Sequence, residues 1–395
     1  MQLTRLRGLL FIFFLSIPSA YPFSVHAQIS DSARVSVLTI YPGEAIYALW
    51  GHSALRIWDP TTGFDISYNY GTFDFRSPLS FMARFAYGKL DYQLSLHQSQ
   101  ALVEHSWVTE GRGVVQQHLD MNQQEIQTLY ELLRVNALPE NRVYRYDFLY
   151  DNCATRILEV LEDALDVQLV NSQSVGISFR DLIRPYLRTK PALDVAINVA
   201  MGIPVDEFST RRQLSFLPIE FQILLENAQK RDQHPLVAQT DTLFGEPISP
   251  TPRQFMSIPT WIGWILCLIA LYLSVRDFRT PRRRRFDVIF MGMVSMIGLL
   301  ITFFWLVSVH EITRPNLHIM WAWPLHLIPL WFSKWRWASI YWWTSGVSAT
   351  LFALGSMWWP QDFPMATIPL ALALAMRCFI LAKVPRTGFE PVLPA

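Results

Sequence analysis

The sequence predicts an α+β exported domain followed by an all-α membrane domain, and three observations carry that division. The N-terminal stretch is charged and then apolar, the layout of a leader. Short alternating runs dominate residues 34–97, and helical periodicity takes over after residue 122. Apolar residues make up 51% of the 395-residue chain and charged ones 16%, and the apolar excess lies almost entirely beyond residue 256. A formal net charge of +1 gives no reason to expect a nucleic-acid partner.

Residues 1–27 place Arg5 and Arg7 before an apolar run over 9–17 and end in Val25-His26-Ala27. This reads as a signal peptide cut after Ala27, with an uncleaved anchor as the alternative. The exported domain then covers 28–231. Residues 34–40 alternate as a strand. Residues 52–58 and 64–70 are two further runs joined by Asp59-Pro60-Thr61-Thr62-Gly63, a hairpin. If Trp58 faces Phe64, His52 and Ser53 lie opposite Tyr70 and Asn69. Residues 89–96 and 113–119 complete one antiparallel sheet. Asn122 and Glu125 stand three apart and open a helix with Ile126, Leu129, Leu132 and Leu133 on its apolar face. Residues 144–149 form a short extended run rich in aromatics that leads into Asp151-Asn152-Cys153. After it, Ile157, Leu158, Val160, Leu161 and Leu165 recur at helical spacing, so a helix begins near Cys153. Three more helices start near Ser178, Ala192 and Leu217. Residues 232–258, with prolines at 235, 247, 250 and 252, read as a linker.

The membrane domain covers 259–384, with apolar spans over 261–275, 288–309, 339–358 and 366–381. Residues 317–332 are interrupted by Pro324, Pro329, His318 and His326 and read as a broken span, which makes about five in all. Arg276, Arg279 and Arg282 to Arg285, then Lys334 and Arg336, then Arg377, Lys383 and Arg386, all fall on one side of such a bundle. The positive-inside rule makes that side the cytoplasm. The first span therefore enters from outside, in agreement with an exported N-terminal domain. His310, Glu311, Arg314 and Asn316 fall on an outer loop, where they can face that domain. The tail, residues 385–395, matches nothing before it.

Of the three cysteines, Cys267 and Cys378 lie in spans, so Cys153 is the lone thiol of the exported domain. It has no intrachain disulfide partner in an oxidising compartment. At a helix start, backbone N–H groups and the helix dipole favour its thiolate. A cysteine nucleophile needs a base within hydrogen-bond reach. His52 follows Gly51 at the start of a strand and is the best placed, whereas His97, His105, His118 and His234 read as ordinary surface or core histidines. A third group that orients His52 would be Asn69 or, more weakly, Asp65. A helix-start cysteine facing a strand-borne histidine is the papain arrangement with the chain order reversed. No histidine, cysteine or carboxylate cluster has metal-ligand spacing, so no metal or cofactor is expected. Gly111-Arg112-Gly113 is not a phosphate loop.

Three motifs, Trp50-Gly51-His52-Ser53-Ala54-Leu55-Arg56-Ile57, Tyr68-Asn69-Tyr70-Gly71-Thr72-Phe73-Asp74-Phe75 and Tyr150-Asp151-Asn152-Cys153-Ala154-Thr155, resemble the Lnb N-terminal periplasmic domain family. Its members resemble bacterial lipoprotein N-acyltransferases. The resemblance covers roughly residues 34–230 and continues at Thr313-Arg314-Pro315-Asn316 and Trp323-Pro324-Leu325-His326-Leu327. More distantly, the order of His52 and Cys153 is similar to permuted papain-like folds, NlpC-like enzymes and lecithin:retinol acyltransferase among them. The resemblance implies Cys153 as nucleophile and His52 as base, in the periplasm of a multi-pass inner-membrane protein. It implies a phospholipid as acyl donor, a thioester on Cys153, and the N-terminal amine of a diacylated lipoprotein as acceptor. Backbone N–H groups at the Cys153 helix start would supply an oxyanion hole. Two other readings are a papain-like amidase acting on cell-wall peptides and an inert membrane-anchored docking protein. The latter requires His52 and Cys153 to lie apart.

Overall fold

The computed structural model describes residues 29–73, 78–245, 256–332 and 336–384. The expected signal peptide and tail, and Asp74, Phe75 and Lys334, lie outside the described residues. In chain order the N-terminal half runs β1 (Arg34–Ile40), β2 (His52–Asp59), β3 (Phe64–Thr72), α1 (Pro78–Tyr87), β4 (Asp91–Gln98), α2 (Ser99–Glu104), β5 (Val114–Leu119), α3 (Gln123–Asn136), β6 (Val143–Arg145) and α4 (Cys153–Leu165). It continues through β7 (Ser174–Ser178), α5 (Phe179–Ile183), α6 (Pro191–Ala200), β8 (Phe208–Thr210), α7 (Arg211–Leu214), α8 (Pro218–Glu226) and β9 (Val237–Phe244). Seven of the strands form one antiparallel sheet in the order β6-β4-β3-β2-β1-β5-β9.

Alternation along the strands puts Val35, Val37, Leu55, Ile57, Tyr68 and Tyr70 against the apolar faces of α3 and α4. The intervening Leu38, Ile40 and Ala54 pack with Val103 of α2 on the other side. The helix expected after Asn122 carries its capping box: Glu125 N–H donates to Asn122 Oδ1 at 3.0 Å, and Asn122 N–H to Glu125 Oε2 at 2.8 Å.

Two expectations need correction. The hairpin register is one residue off: Asp59, not Trp58, pairs with Phe64, and Leu55 pairs with Tyr68. The cause is Asp59, which is fully buried and accepts hydrogen bonds from Thr61 N–H at 3.0 Å and from Ser30 N–H at 2.7 Å. That carboxylate closes the turn and draws residue 59 into the strand. The linker over 232–258 is also shorter than expected, because residues 237–244 pair with β5 as the last strand of the sheet. Their side chains are mostly exposed, so an edge strand carried little apolar alternation to read.

The C-terminal half is helical: α9 (Ile258–Asp277), α10 (Arg285–Leu306), α11 (Leu327–Trp331), α12 (Arg336–Gly355) and α13 (Thr367–Leu381). Among the described residues, α9 and α10 are long and apolar enough to cross a membrane. The 20-residue α12 is less apolar, with Ser339, Thr344, Ser345, Ser348 and Thr350 along it, and α13 has 15 residues. Segment 317–332 is broken, as its prolines suggested, into a 3-10 turn, Leu317–Met320, and the short α11.

A buried ionic cluster ties one end of these helices together. Arg377 on α13 donates to both carboxylate oxygens of Asp287 on α10, at 2.6 and 2.8 Å, and to Asp277 of α9 at 3.2 Å. All three side chains are 0% exposed. Arg284, counted from sequence as a topological charge only, also pairs with Asp277.

The opposite end meets the N-terminal domain, and there the outer loop expected around His310 to Asn316 forms a seam. Gly202 N–H donates to Ile312 O at 2.9 Å, and Ile203 N–H to Pro315 O at 2.8 Å. Asn316, 0% exposed, donates to Val199 O at 2.8 Å. Val309 N–H reaches Tyr87 O at 2.9 Å, and the His310 ring reaches Phe85 O at 2.7 Å. Ile312 joins an apolar cluster with Leu49, Trp50, Phe148, Leu149, Phe179 and Phe216.

Candidate active site

The seam cluster leads to the site, because Trp50 precedes His52 and Leu149 precedes Cys153. Gly51 holds a left-handed φ of 84°, and a Cβ there would sit 2.9 Å from Ile40 O. Only glycine lets the chain turn into β2 at that approach. His52 is then the first residue of β2. Continued from the Leu55–Tyr68 pair, the register places it across from Gly71, with Asn69 diagonal on the same face. The register expected from sequence would have put His52 and Asn69 on opposite faces. In the structure His52 Nε2 and Asn69 Oδ1 are 2.6 Å apart.

Cys153 enters from a helix start that its own sequence builds. Asn152 caps α4: its Oδ1 accepts from Ala154 N–H at 2.9 Å and from Thr155 N–H at 3.2 Å. Its Nδ2 donates to Phe148 O and Phe216 O, both at 2.8 Å, which locks the cap onto the seam cluster. Such a cap contributes about 1 kcal/mol. Asp151 and Arg156 form a bidentate pair beside it.

His52 and Cys153 lie side by side around Gly71, where a Cβ would sit 3.6 Å from His52 Cε1 and 3.7 Å from Cys153 Cβ, and with Nε2 committed to Asn69 the nitrogen left toward the sulfur is Nδ1. Cys153 is 9% exposed. Burial pushes its thiol up, but the positive charge of the neighbouring His52 and nearby backbone N–H dipoles outweigh that and bring it below the ordinary thiol value. Burial pulls His52 down, whereas Cys153 and Asn69 raise it further, so the net shift is upward. The two shifts describe one coupled pair that favours thiolate and imidazolium. Such an arrangement is what an activated nucleophile with an adjacent proton donor requires.

The other candidates separate from this point. Asp65 is held by Arg56 in two 2.7 Å hydrogen bonds, so its carboxylate serves the hairpin and not His52. His118 pairs with Asp241 at 3.0 Å, and His97 bonds Ser95 at 2.8 Å. Arg112, passed over with its glycines, is buried and donates to the Tyr41 carbonyl at 2.7 Å, which fixes the chain at the end of β1. No local signal marked it. Tyr144 of β6 was read only as part of an aromatic run, yet its hydroxyl also faces the site.

Replacing Asn69 with Ala is expected to slow Cys153 alkylation near neutral pH by about 10- to 100-fold. A hydrogen bond to a charged group contributes about 1.5–3 kcal/mol. The check is the pH profile of iodoacetamide alkylation; a profile identical to wild type would remove Asn69 from the site.

Two family models match the chain. The Lnb N-terminal periplasmic domain matches residues 25–188, and the Lnb transmembrane domain matches residues 251–385. No curated protein and no solved structure matches.

Proposed function

We propose a function for this chain from the premise that it belongs to the Lnb family, whose periplasmic and transmembrane domains it carries in order. It is a membrane protein with a periplasmic domain, and lipoprotein processing is the class of work its family points to. The specific reading is an acyltransferase. The Cys153 thiolate attacks the ester carbonyl of a phospholipid, and a C–S bond forms. The ester C–O bond breaks, and the glycerol oxygen leaves with a proton from the His52 imidazolium as a lysophospholipid. The N-terminal amine of a diacylated lipoprotein then attacks the thioester while His52 takes its proton. A C–N bond forms, the C–S bond breaks, and the thiolate returns.

One observation carries this reading: Cys153 and His52 side by side around Gly71, with His52 bonded to Asn69, in a domain sewn to a bundle of apolar helices. The docking-protein alternative needs that pair apart. A cell-wall amidase would have no use for the helical region. The papain-like character lies in the pair's geometry, a helix-start thiol against a strand-borne imidazole. A multi-pass arrangement in the inner membrane is supported by the placement of Arg282, Arg284 and Arg377 at the end of the bundle away from the periplasmic domain.

The test is intact-mass analysis of the detergent-solubilised protein after incubation with phospholipid. Wild type is expected to gain one acyl mass that neutral hydroxylamine removes, and Cys153→Ala to gain none. An adduct that persists in Cys153→Ala would overturn the thioester, as would a wild type that gains nothing.

A further inference from the structure

Attack on an ester moves the carbonyl π pair onto oxygen, and rate depends on donors aimed at where that charge develops. Backbone N–H groups at the α4 start were the expected source. The structure commits two of them elsewhere, because Ala154 and Thr155 N–H both point to Asn152 Oδ1. What the helix start retains for an oxyanion is the Cys153 N–H, which the cap does not take. A single donor is a poor oxyanion hole, so a second belongs nearby.

Tyr144 answers that description. Its side chain is 7% exposed, and its hydroxyl has no hydrogen-bond partner among the described residues. A buried hydroxyl left unpaired costs about 1–3 kcal/mol. Groups of that kind persist where something absent from the resting protein completes them. Burial, reinforced by the nearby Cys153, raises the phenol well above its ordinary range, so it stays a donor. Its location is fixed by Gly71, whose φ of 97° is the left-handed kind. A Cβ at Gly71 would lie 3.6 Å from His52 Cε1, 3.7 Å from Cys153 Cβ and 3.9 Å from Tyr144 Oη. The side chains of Cys153, His52 and Tyr144 therefore meet around one space, wide enough for a single carbon, that glycine leaves open. The phenol is held there by the Arg156 guanidinium, 4.2 Å from its ring centroid, and by the edge of Tyr70.

We propose that the Tyr144 hydroxyl is the second oxyanion donor, binding the carbonyl oxygen of the acyl group in the Gly71 space during both acylation and transfer. The inference rests on the acyltransferase reading. Tyr144 keeps its proton throughout: the oxyanion is held by the Tyr144 O–H and the Cys153 N–H, then collapses to expel the glycerol oxygen, whose proton comes from His52.

The experiment compares wild type, Cys153→Ala and Tyr144→Phe in single-turnover acylation by phospholipid. Each is followed by intact mass, and wild type and Tyr144→Phe are also alkylated with iodoacetamide across pH. Alkylation creates no oxyanion and reports only the thiolate. Tyr144→Phe is expected to acylate about 10²-fold or more slowly, with its alkylation profile and melting temperature at wild-type values or better, since an unpaired hydroxyl has been removed. Acylation at the wild-type rate would overturn the role of Tyr144 alone. Acylation and alkylation falling together would also overturn it, by placing Tyr144 in support of the thiolate. A wild type that takes no acyl group would overturn the acyltransferase reading and this inference with it.

Discussion

His52→Ala is expected to slow acylation of Cys153 at neutral pH by about 10²- to 10⁴-fold, the range of a positioned acid or base. Two losses combine. Burial by itself pushes the Cys153 thiol up, and the largest opposing influence is His52. Without it the thiol should titrate above the ordinary value. The sign is fixed by which form His52 favours: its positive charge stabilises thiolate, so its removal shifts the alkylation midpoint to higher pH, never lower. The second loss is the proton for the departing glycerol oxygen, which raising the pH cannot restore. Iodoacetamide alkylation should therefore recover at high pH in His52→Ala, while acylation should not. An alkylation midpoint still below the ordinary thiol value would mean that another group activates Cys153.

Arg377→Met is expected to destabilise the helical region by about 3–5 kcal/mol, the cost of leaving a buried charge without its partner. Asp287 would lose both side-chain hydrogen bonds that neutralise it and keep only the Arg284 N–H at 2.8 Å. Asp277 would still hold Arg284 and Arg282. Adding Asp287→Asn should recover a good part of the loss, because it removes the stranded charge yet leaves an oxygen for the N-terminus of α10. Thermal unfolding in detergent of the two single variants and the double variant gives the coupling between them. Additive losses would mean that the pair contributes packing and not charge compensation.

The site was legible in sequence where chemistry is local. A lone thiol before an amphipathic run, and a histidine after a glycine at a strand start, could be found without coordinates, and the structure brings Cys153, His52 and Asn69 together. The register was not legible, because it hung on whether Asp59 belonged to the turn or to the strand. A buried carboxylate bonded to Ser30 decides that from 29 residues away. Asn69 was chosen for its strand and reaches His52 only through the corrected pairing. Tyr144 could not be selected from its neighbours, since nothing in Val143-Tyr144-Arg145 says that one hydroxyl will be buried without a partner. Asp287 and Arg377 stand 90 positions apart, and each looked like an ordinary charge at the edge of an apolar run.

The seam at Gly202, Ile203 and Asn316 also has a mechanical meaning. Backbone hydrogen bonds and a shared apolar cluster run from the outer loop to the residues flanking His52 and Cys153, and so tie the sulfur to the helices among the described residues. If the helices span the membrane as proposed, these contacts set the height of the sulfur above it, as in a tool clamped to a bench. In the proposed reaction both the donor ester and the acceptor amine would then be brought up to that one point.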